Sequence, residues 1–271
     1  MDQSAELSEE HLLKLGDCKF ENHFWGKGKP SILALPGFMQ TCHTFGKIGP
    51  LLTKEDYPML SVSLPAHGRT SCENPDLMSI MDLRHVADRL SRLFTVYNLP
   101  PVHLLAHSFG ARYAITFAVR HPEYVRSLHM IAPGGFYPME DRLFRLSGHF
   151  PVSGLLKWPF IAGLANKITS KTLTPYQVKN GMRLLRILAE TYPAINLYDT
   201  RTMLQIFKVT QPVHVYWGED DRLVPVKYAH EVCQHFPNAQ KHIITEAGHN
   251  LHLTHPEQLA DLMLDALSFD G

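Results

Sequence analysis

One serine stands where a strand pattern gives way directly to a helix pattern. The run of strand-type residues from Val102 to Ala106 indicates a strand, and apolar residues recur at helical spacing after Ser108. Such a tight turn requires small residues two before and two after the serine, and Ala106 and Gly110 meet that requirement. The pattern therefore places the hydroxyl of Ser108 at the tip of a sheet, with the amino end of a helix behind it.

Carboxylates and a histidine follow the last two predicted strands. The strand from Val213 to Trp217 leads into Asp220 and Asp221, and the strand from Lys241 to Thr245 precedes His249. A serine hydroxyl becomes a good nucleophile when an imidazole removes its proton and a carboxylate holds that imidazole in one tautomer. A serine, acidic residues and a histidine that each follow a predicted strand therefore predict acyl-transfer chemistry, with two neighbouring aspartates as candidate acids.

Alternating strand and helix patterns indicate the scaffold that positions these residues. Such alternation is typical of an α/β architecture with a mostly parallel, doubly wound sheet. The predicted strands are Glu9 to Leu15, Cys18 to Trp25, Ser31 to Leu35, Met59 to Leu64, Val102 to Ala106, Val125 to Ala132, Val213 to Trp217 and Lys241 to Thr245. The predicted core helices are Phe45 to Thr53, a helix that begins near a capping box of Ser79 and Asp82 and runs to Tyr97, the helix after Ser108, Val226 to His235 and Thr254 to Ser268.

A helical insertion interrupts this alternation. No strand pattern occurs between Pro133 and Lys208, where the apolar spacing is helical instead. We therefore expect a core formed by residues 1–133 and 209–271, and a helical cap formed by residues 134–208. The cap should lie over the edge of the sheet where the loops gather.

The serine turn, the acid loop and the histidine together resemble the α/β-hydrolase superfamily, specifically its serine esterase and lipase-like branch with a helical cap. The resemblance implies an eight-stranded sheet. In that family the acid lies three residues after a glycine and four before a proline, and Gly218 and Pro225 select Asp221. The family's histidine follows a glycine, which selects His249. The implied catalytic residues are Ser108, Asp221 and His249.

The resemblance also implies backbone donors for the oxyanion. One is the amide of Phe109, at the amino end of the helix behind the serine. The other is the amide of Phe38, because Pro36-Gly37-Phe38 resembles the family's His-Gly-x with proline in place of histidine. Phe38, Met39 and Phe109 should then border an apolar substrate site. The segment Pro65 to Thr70 resembles a family loop, in which we expect His67 to be a hydrogen-bonded loop residue rather than a base.

Serine at the nucleophile position separates this chain from the haloalkane dehalogenases and epoxide hydrolases of the same fold, which use an aspartate. The leading hypothesis is a serine hydrolase that cleaves carboxylic esters, with medium-chain acyl groups, through an acyl-serine. It needs no cofactor and no metal. The alternatives are C–C bond hydrolysis next to a carbonyl, cofactor-free perhydrolase or haloperoxidase chemistry with the same triad, and a small-molecule binding protein of the same fold.

The composition argues against several classes of binding partner and cellular location. The formal net charge is zero, which does not favour nucleic acid, and no apolar run is long enough to cross a membrane. The amino terminus lacks the pattern of a signal peptide. Cys18, Cys42, Cys72 and Cys233 show no paired spacing, so neither a metal site nor a disulfide framework is expected. These features predict a soluble, cytoplasmic protein.

The predicted cap is strongly basic. Between Arg142 and Lys208 there are ten lysines and arginines against Glu190 and Asp199. One hypothesis is that the cap offers aromatic side chains to an acyl group and cations to an anionic or lipid-like headgroup. The alternative is a solvated basic face over an ordinary helical core.

Overall fold

The computed structural model describes residues 12–73, 81–136 and 208–269. These residues form ten strands: β1 Leu13–Leu15, β2 Cys18–Phe20, β3 Asn22–Trp25, β4 Ile32–Leu35, β5 Met59–Val62, β6 Ser71–Cys72, β7 Val102–His107, β8 Val125–Ile131, β9 Val213–Gly218 and β10 Ala239–Ile244. They also form six α-helices: α1 Ile48–Lys54, α2 Leu83–Val96, α3 Gly110–Arg120, α4 Tyr228–Gln234, α5 Leu251–Thr254 and α6 Pro256–Phe269. Short 3-10 turns cover Cys42–Phe45 and Pro122–Tyr124.

Seven strands form the central sheet, in the order β10-β9-β8-β7-β4-β5-β3. Every neighbouring pair is parallel except β3 and β5, so β3 is an antiparallel edge strand. Strands β4, β5, β7 and β9 are buried along their whole length, as expected when helices cover both faces. The predicted doubly wound α/β architecture is therefore confirmed for the part of the chain that the structure describes.

Helices cover both faces of the central sheet. Apolar residues of α2, α3 and α4 pack on one face with alternate residues of β4, β7, β8 and β9. Residues of α1 and α6 pack on the other face. The two layers follow from the alternation of side chains along each strand, because successive residues point to opposite faces.

The central sheet has seven strands rather than the expected eight, because β1, predicted as part of Glu9 to Leu15, lies outside it. The predicted strand from Cys18 to Trp25 is two strands, because the chain changes sheets at Glu21: β2 pairs with β1 and β6 in a separate three-stranded sheet, and β3 joins the central sheet. The buried Glu21 carboxylate is held at this point by the hydroxyl of Ser63 and by Arg69. A strand pattern in the sequence does not reveal such a change of partner.

Cys18 and Cys72 form a disulfide between β2 and β6, which corrects the expectation that no cysteines pair. Fifty-four residues separate them, and only strand pairing brings their Cα atoms to 4.0 Å. Spacing along the sequence therefore could not reveal the pair. Disulfides are rare in a reducing cytosol, so this bond argues against the predicted cytoplasmic location.

The second helix begins differently from the prediction. Asp82 is the N-cap of α2, and its carboxylate accepts hydrogen bonds from the backbone N–H groups of Arg84 and His85 at 3.0 and 3.2 Å. It is not the third helical residue of a capping box begun by Ser79, which lies outside the described residues. An aspartate accepts two N–H groups well at an N-cap, which explains why the helix starts there.

Most of the predicted cap lies outside the described residues, so its boundaries at 134 and 208, its helices and its basic face stay predictions. In the segments that the structure describes, no helix has the length and apolarity to cross a membrane.

A row of polar side chains is buried in the middle of the central sheet. His103 Nδ1 lies 2.7 Å from the hydroxyl of Ser127, which lies 2.8 Å from His129 Nε2, and His129 Nδ1 lies 3.0 Å from the hydroxyl of Tyr216. Burial lowers the pKa of His103 to about 4 and holds that of His129 well below the ordinary value. Both imidazoles are therefore neutral in the folded protein at pH 7.

This row predicts acid-sensitive stability. A histidine whose pKa is lower in the folded than in the unfolded state stabilises the fold fully above the unfolded pKa of about 6.5, and this contribution is lost as the pH falls below it. We expect each such histidine to lower the free energy of unfolding by about 1 kcal/mol at pH 5.5. The melting temperature should therefore fall by several degrees between pH 7.5 and 5.5. Thermal unfolding followed by circular dichroism measures the melting temperature at each pH. In His103→Gln the drop should be smaller, and an equal drop in both proteins would contradict this origin.

Candidate active site

Ser108 occupies a strained corner between β7 and α3. Its φ of 48° lies in the left-handed region, which residues other than glycine seldom adopt. Backbone hydrogen bonds hold the corner: the N–H of Ser108 donates to Ile131 O at 2.9 Å, and the N–H of Gly134 donates to Ser108 O at 2.9 Å. The strain projects the half-buried hydroxyl beyond the end of the sheet, and strain of this kind is typical of functional sites.

The three predicted catalytic side chains meet at this corner. His249 Nε2 lies 2.9 Å from Ser108 Oγ, and His249 Nδ1 lies 2.8 Å from Asp221 Oδ2. His249 is 141 residues from Ser108 and 28 residues from Asp221 in the sequence. The three meet because β7, β9 and β10 are parallel, so that the loops after them emerge at one edge of the sheet. The side chain of Asp221 is fully buried, and that of His249 is 12% exposed.

The loop after β9 decides which aspartate reaches the histidine. Asp221 Oδ1 accepts the backbone N–H groups of Leu223 and Val224, each at 2.9 Å, so that Oδ2 is left to face His249. The indole N–H of Trp217 donates to Val224 O at 2.8 Å and fixes the same loop. Asp220, the alternative acid, is exposed.

The loop after β4 lies against the serine corner. The rings of Phe38 and Phe109 pack edge to face with centroids 5.6 Å apart, so the two residues whose amides are predicted to bind the oxyanion are neighbours. Met39 is half-buried and has a φ of 63°, which turns the loop sharply after Phe38. Phe38 and Phe109 therefore form one apolar wall next to the serine corner, and the substrate contacts of Phe38, Met39 and Phe109 stay predictions.

His67 lies under this wall as a loop residue. Its Nδ1 is 2.9 Å from Pro65 O, which agrees with the expected hydrogen-bonded loop role. Its ring packs 6.1 Å from that of Phe38 and 6.3 Å from that of Phe109. Burial lowers the pKa of His67 to about 4, so the ring is neutral and supports the wall without adding charge.

A buried polar group behind His249 was not predicted from the sequence. It comprises Gln40, His107 and His252, which are at most 7% exposed. His107 lies between Gln40 and the backbone of His249, and His252 Nε2 lies 3.0 Å from the hydroxyl of Thr44. One signal was available, since His107 is a polar residue at the end of a buried strand, directly before the serine.

The arrangement can transfer a proton from Ser108 to His249 while Asp221 holds the opposite ring nitrogen. A neutral imidazole between a hydroxyl and a buried carboxylate has this capacity in acyl-transfer enzymes. Within the described ranges, no cluster of three or more histidine, cysteine or acidic side chains is arranged to hold a metal ion.

The chain belongs to the α/β-hydrolase family. The model of the "Alpha/beta hydrolase family" matches residues 32–262, which includes the serine corner, the acid loop and the histidine. The family resemblance and the fold expected from the sequence are thereby confirmed.

Individual relatives differ in the activities that their names state. The chain is 26% identical to the monoacylglycerol lipase abhd6-B of Xenopus laevis, over 93% of this chain and 80% of that protein. It is also 26% identical to 2-hydroxy-6-oxononadienedioate/2-hydroxy-6-oxononatrienedioate hydrolase 1 of Dechloromonas aromatica, over 94% of this chain and 93% of that one. A thermophilic esterase from Thermogutta terrifontis shares the fold with a TM-score of 0.73 and 16% identity, over 97% and 98% of the two chains.

The corner depends on a glycine. A Cβ on Gly110 would lie 2.5 Å from Leu35 O and 2.6 Å from Pro36 O, which are backbone atoms of the facing strand end. We expect Gly110→Ala to lower the melting temperature by several degrees, because the backbone must move apart. The matched control is Gly248→Ala, whose Cβ would meet nothing within 4 Å and should leave the melting temperature unchanged. Equal melting temperatures for the two variants would contradict this packing.

Proposed function

We propose that this protein is a serine hydrolase that cleaves carboxylic esters through an acyl-serine, with Ser108, His249 and Asp221 as its triad. The single observation that carries the proposal is the continuous chain of contacts from Ser108 Oγ through His249 to the buried Asp221 carboxylate, at 2.9 and 2.8 Å. Membership of a hydrolase family supports it. The proposed reaction uses no metal and no cofactor.

Each side chain has one role in the proposed reaction. Ser108 Oγ attacks the ester carbonyl while His249 Nε2 takes the hydroxyl proton, and a C–O bond forms. The intermediate collapses, the alkoxide leaves with the proton from His249, and an acyl-serine remains. Water then attacks the acyl carbon with His249 again as base, which releases the acid and restores Ser108. Asp221 keeps the Nδ1–H of His249 pointed at itself and stabilises the imidazolium.

The amides of Phe38 and Phe109 are the proposed donors to the oxyanion. Phe109 immediately precedes α3, where the N–H groups of the first turn and the helix dipole favour negative charge. The edge-to-face contact between the two rings holds the loop of Phe38 beside that helix end. Donors fixed before the reaction stabilise the transition state without reorganisation.

The proposed substrate is a small, lipid-like ester. Phe38, Met39 and Phe109 belong to or pack against one apolar cluster, which favours an acyl chain over a polar acid, and a medium chain length is part of the proposal. Similarity to monoacylglycerol lipases supports a single acyl chain on a small alcohol. The basic residues of the predicted cap favour an anionic headgroup within this class.

C–C bond hydrolysis of a diketone-type substrate is the second candidate. The relative from Dechloromonas aromatica, whose name states hydrolysis of a dienedioate, is as similar to this chain as the lipase. The third possibility, a binding protein without catalysis, does not explain the three catalytic side chains in contact. A cytoplasmic location is a separate proposal, which the Cys18–Cys72 disulfide does not favour. Subcellular fractionation with detection of the protein in each fraction tests it.

The triad proposal predicts a sharp difference between neighbouring aspartates. Asp221→Asn should lower kcat on a p-nitrophenyl ester by about 10²- to 10⁴-fold, because His249 loses the partner that fixes its tautomer. Asp220→Asn, the matched control at the exposed neighbour, should retain wild-type kcat. Ser108→Ala should abolish both hydrolysis and labelling by a fluorophosphonate. Retained labelling in Ser108→Ala, or equal kcat in the two asparagine variants, would rule the triad out.

The substrate class predicts a preference that steady-state kinetics can measure. Among esters of equal acyl length, kcat/KM should be higher for anionic than for neutral headgroups if the basic cap binds the substrate. The preference should weaken as ionic strength rises, because salt screens the attraction. Equal rates at low salt would remove the headgroup proposal, and faster turnover of a vinylogous diketone than of any ester would favour the C–C hydrolase.

A further inference from the structure

Three loops meet at the active site, and none of them is next to both of the others in the sheet. The serine corner follows β7, the predicted oxyanion loop follows the adjacent β4, and the histidine loop follows β10, three strands away on the other side. The sheet therefore fixes the first two loops relative to each other more tightly than the third. Some further contact must hold the histidine loop against them.

Gln40 connects all three loops. Its Oε1 accepts the backbone N–H of Gly37 at 2.9 Å within the oxyanion loop, and lies 2.8 Å from Nδ1 of His107 at the end of β7. Its Nε2 donates to Asn250 Oδ1 at 3.3 Å in the histidine loop. The Gly37 N–H identifies the amide oxygen, which fixes the orientation of the Gln40 side chain.

His107 adds a second connection. Its Nε2 lies 3.1 Å from the backbone carbonyl oxygen of His249 itself. Burial, with the neighbouring His252 and His249, holds the pKa of His107 well below its ordinary value, so the ring is neutral and carries one N–H. That N–H donates either to Gln40 or to the carbonyl of His249, and in either tautomer it ties the serine corner to another loop.

The site around this pair is closely packed. Gln40 is 7% and His107 is 2% exposed, so water competes little for their hydrogen bonds. A Cβ on Gly37 would lie 2.7 Å from His107 Nδ1 and 2.9 Å from Gln40 Oε1, so the oxyanion loop approaches the pair as closely as only glycine allows. Small displacements of either side chain would therefore shift the amide of Phe38.

We propose that Gln40 and His107 are positioning residues that hold the predicted oxyanion loop and the catalytic histidine in register with Ser108. The inference rests on the proposed function, since it concerns the same reaction. Neither side chain is assigned a contact with substrate. Their effect falls on the transition state, because the oxyanion donors and the base act there rather than in substrate binding.

The experiment compares Gln40→Met, which matches glutamine in length but has no amide, with wild type on a p-nitrophenyl ester. Misplacement of the oxyanion donors and the base should lower kcat about 10- to 100-fold while KM changes less than about twofold. His103→Gln is the matched control for a buried hydrogen-bonded histidine at the other end of β7. It should change the melting temperature and leave kcat unchanged.

A second set of variants tests His107 by rescue. His107→Leu should lower kcat as Gln40→Met does. The amide nitrogen of asparagine can replace Nδ1–H and that of glutamine can replace Nε2–H, so either His107→Asn or His107→Gln should recover most of the lost kcat. Rescue by one of them supports the proposal and identifies the donating nitrogen. Rescue by neither, while all variants unfold at the wild-type temperature, would overturn the role of His107.

Different results would contradict the proposed function and the positioning role. If wild type neither hydrolyses esters nor reacts with a fluorophosphonate, the proposed function is wrong and this inference is wrong with it. If wild type is active and Gln40→Met keeps wild-type kcat, or loses kcat only in proportion to folded protein, the positioning role alone is wrong.

Discussion

The left-handed backbone of Ser108 is the constraint on which the rest of the site depends. A φ of 48° at a non-glycine residue costs free energy of the order of 1 kcal/mol or more, so the surroundings must enforce it. They do so through hydrogen bonds from Ser108 N–H to Ile131 O and from Gly134 N–H to Ser108 O. Gly110 lets the first turn of α3 approach the end of β4. If the strand continued instead, the hydroxyl would point to one face of the sheet rather than toward His249.

The parallel sheet brings the other residues of the site to this strained corner. Because the carboxyl ends of β4, β7, β9 and β10 lie at one edge, the residues that follow them meet although they are far apart along the chain. The Asp221 carboxylate is then divided between two tasks: one oxygen accepts two backbone N–H groups of its own loop and the other faces His249. Pairing of β4 with β7 holds the loops after these two strands together. In the proposed role, Gln40 and His107 hold the histidine loop against them.

The sequence predicted the architecture because most of the buried parallel strands leave largely apolar runs. It predicted Ser108 from the turn between a strand pattern and a helix pattern, whereas Asp221 and His249 were selected by the family's spacing to neighbouring glycine and proline residues. It did not predict that the chain changes sheets at Glu21 or that Cys18 meets Cys72, since both depend on pairing between segments distant in sequence. Gln40 was missed for the same reason. A lone glutamine in a loop has no pattern, and its role is defined only by three partners in space.

The most direct measurement of the central claim is a crystal structure of the protein after reaction with a p-nitrophenyl alkylphosphonate, which mimics the tetrahedral intermediate. We expect phosphorus bonded to Ser108 Oγ, with the phosphoryl oxygen at hydrogen-bond distance from the amides of Phe38 and Phe109 and with His249 still held by Asp221. Phosphorus on any other residue, or a phosphoryl oxygen turned away from both amides, would contradict it.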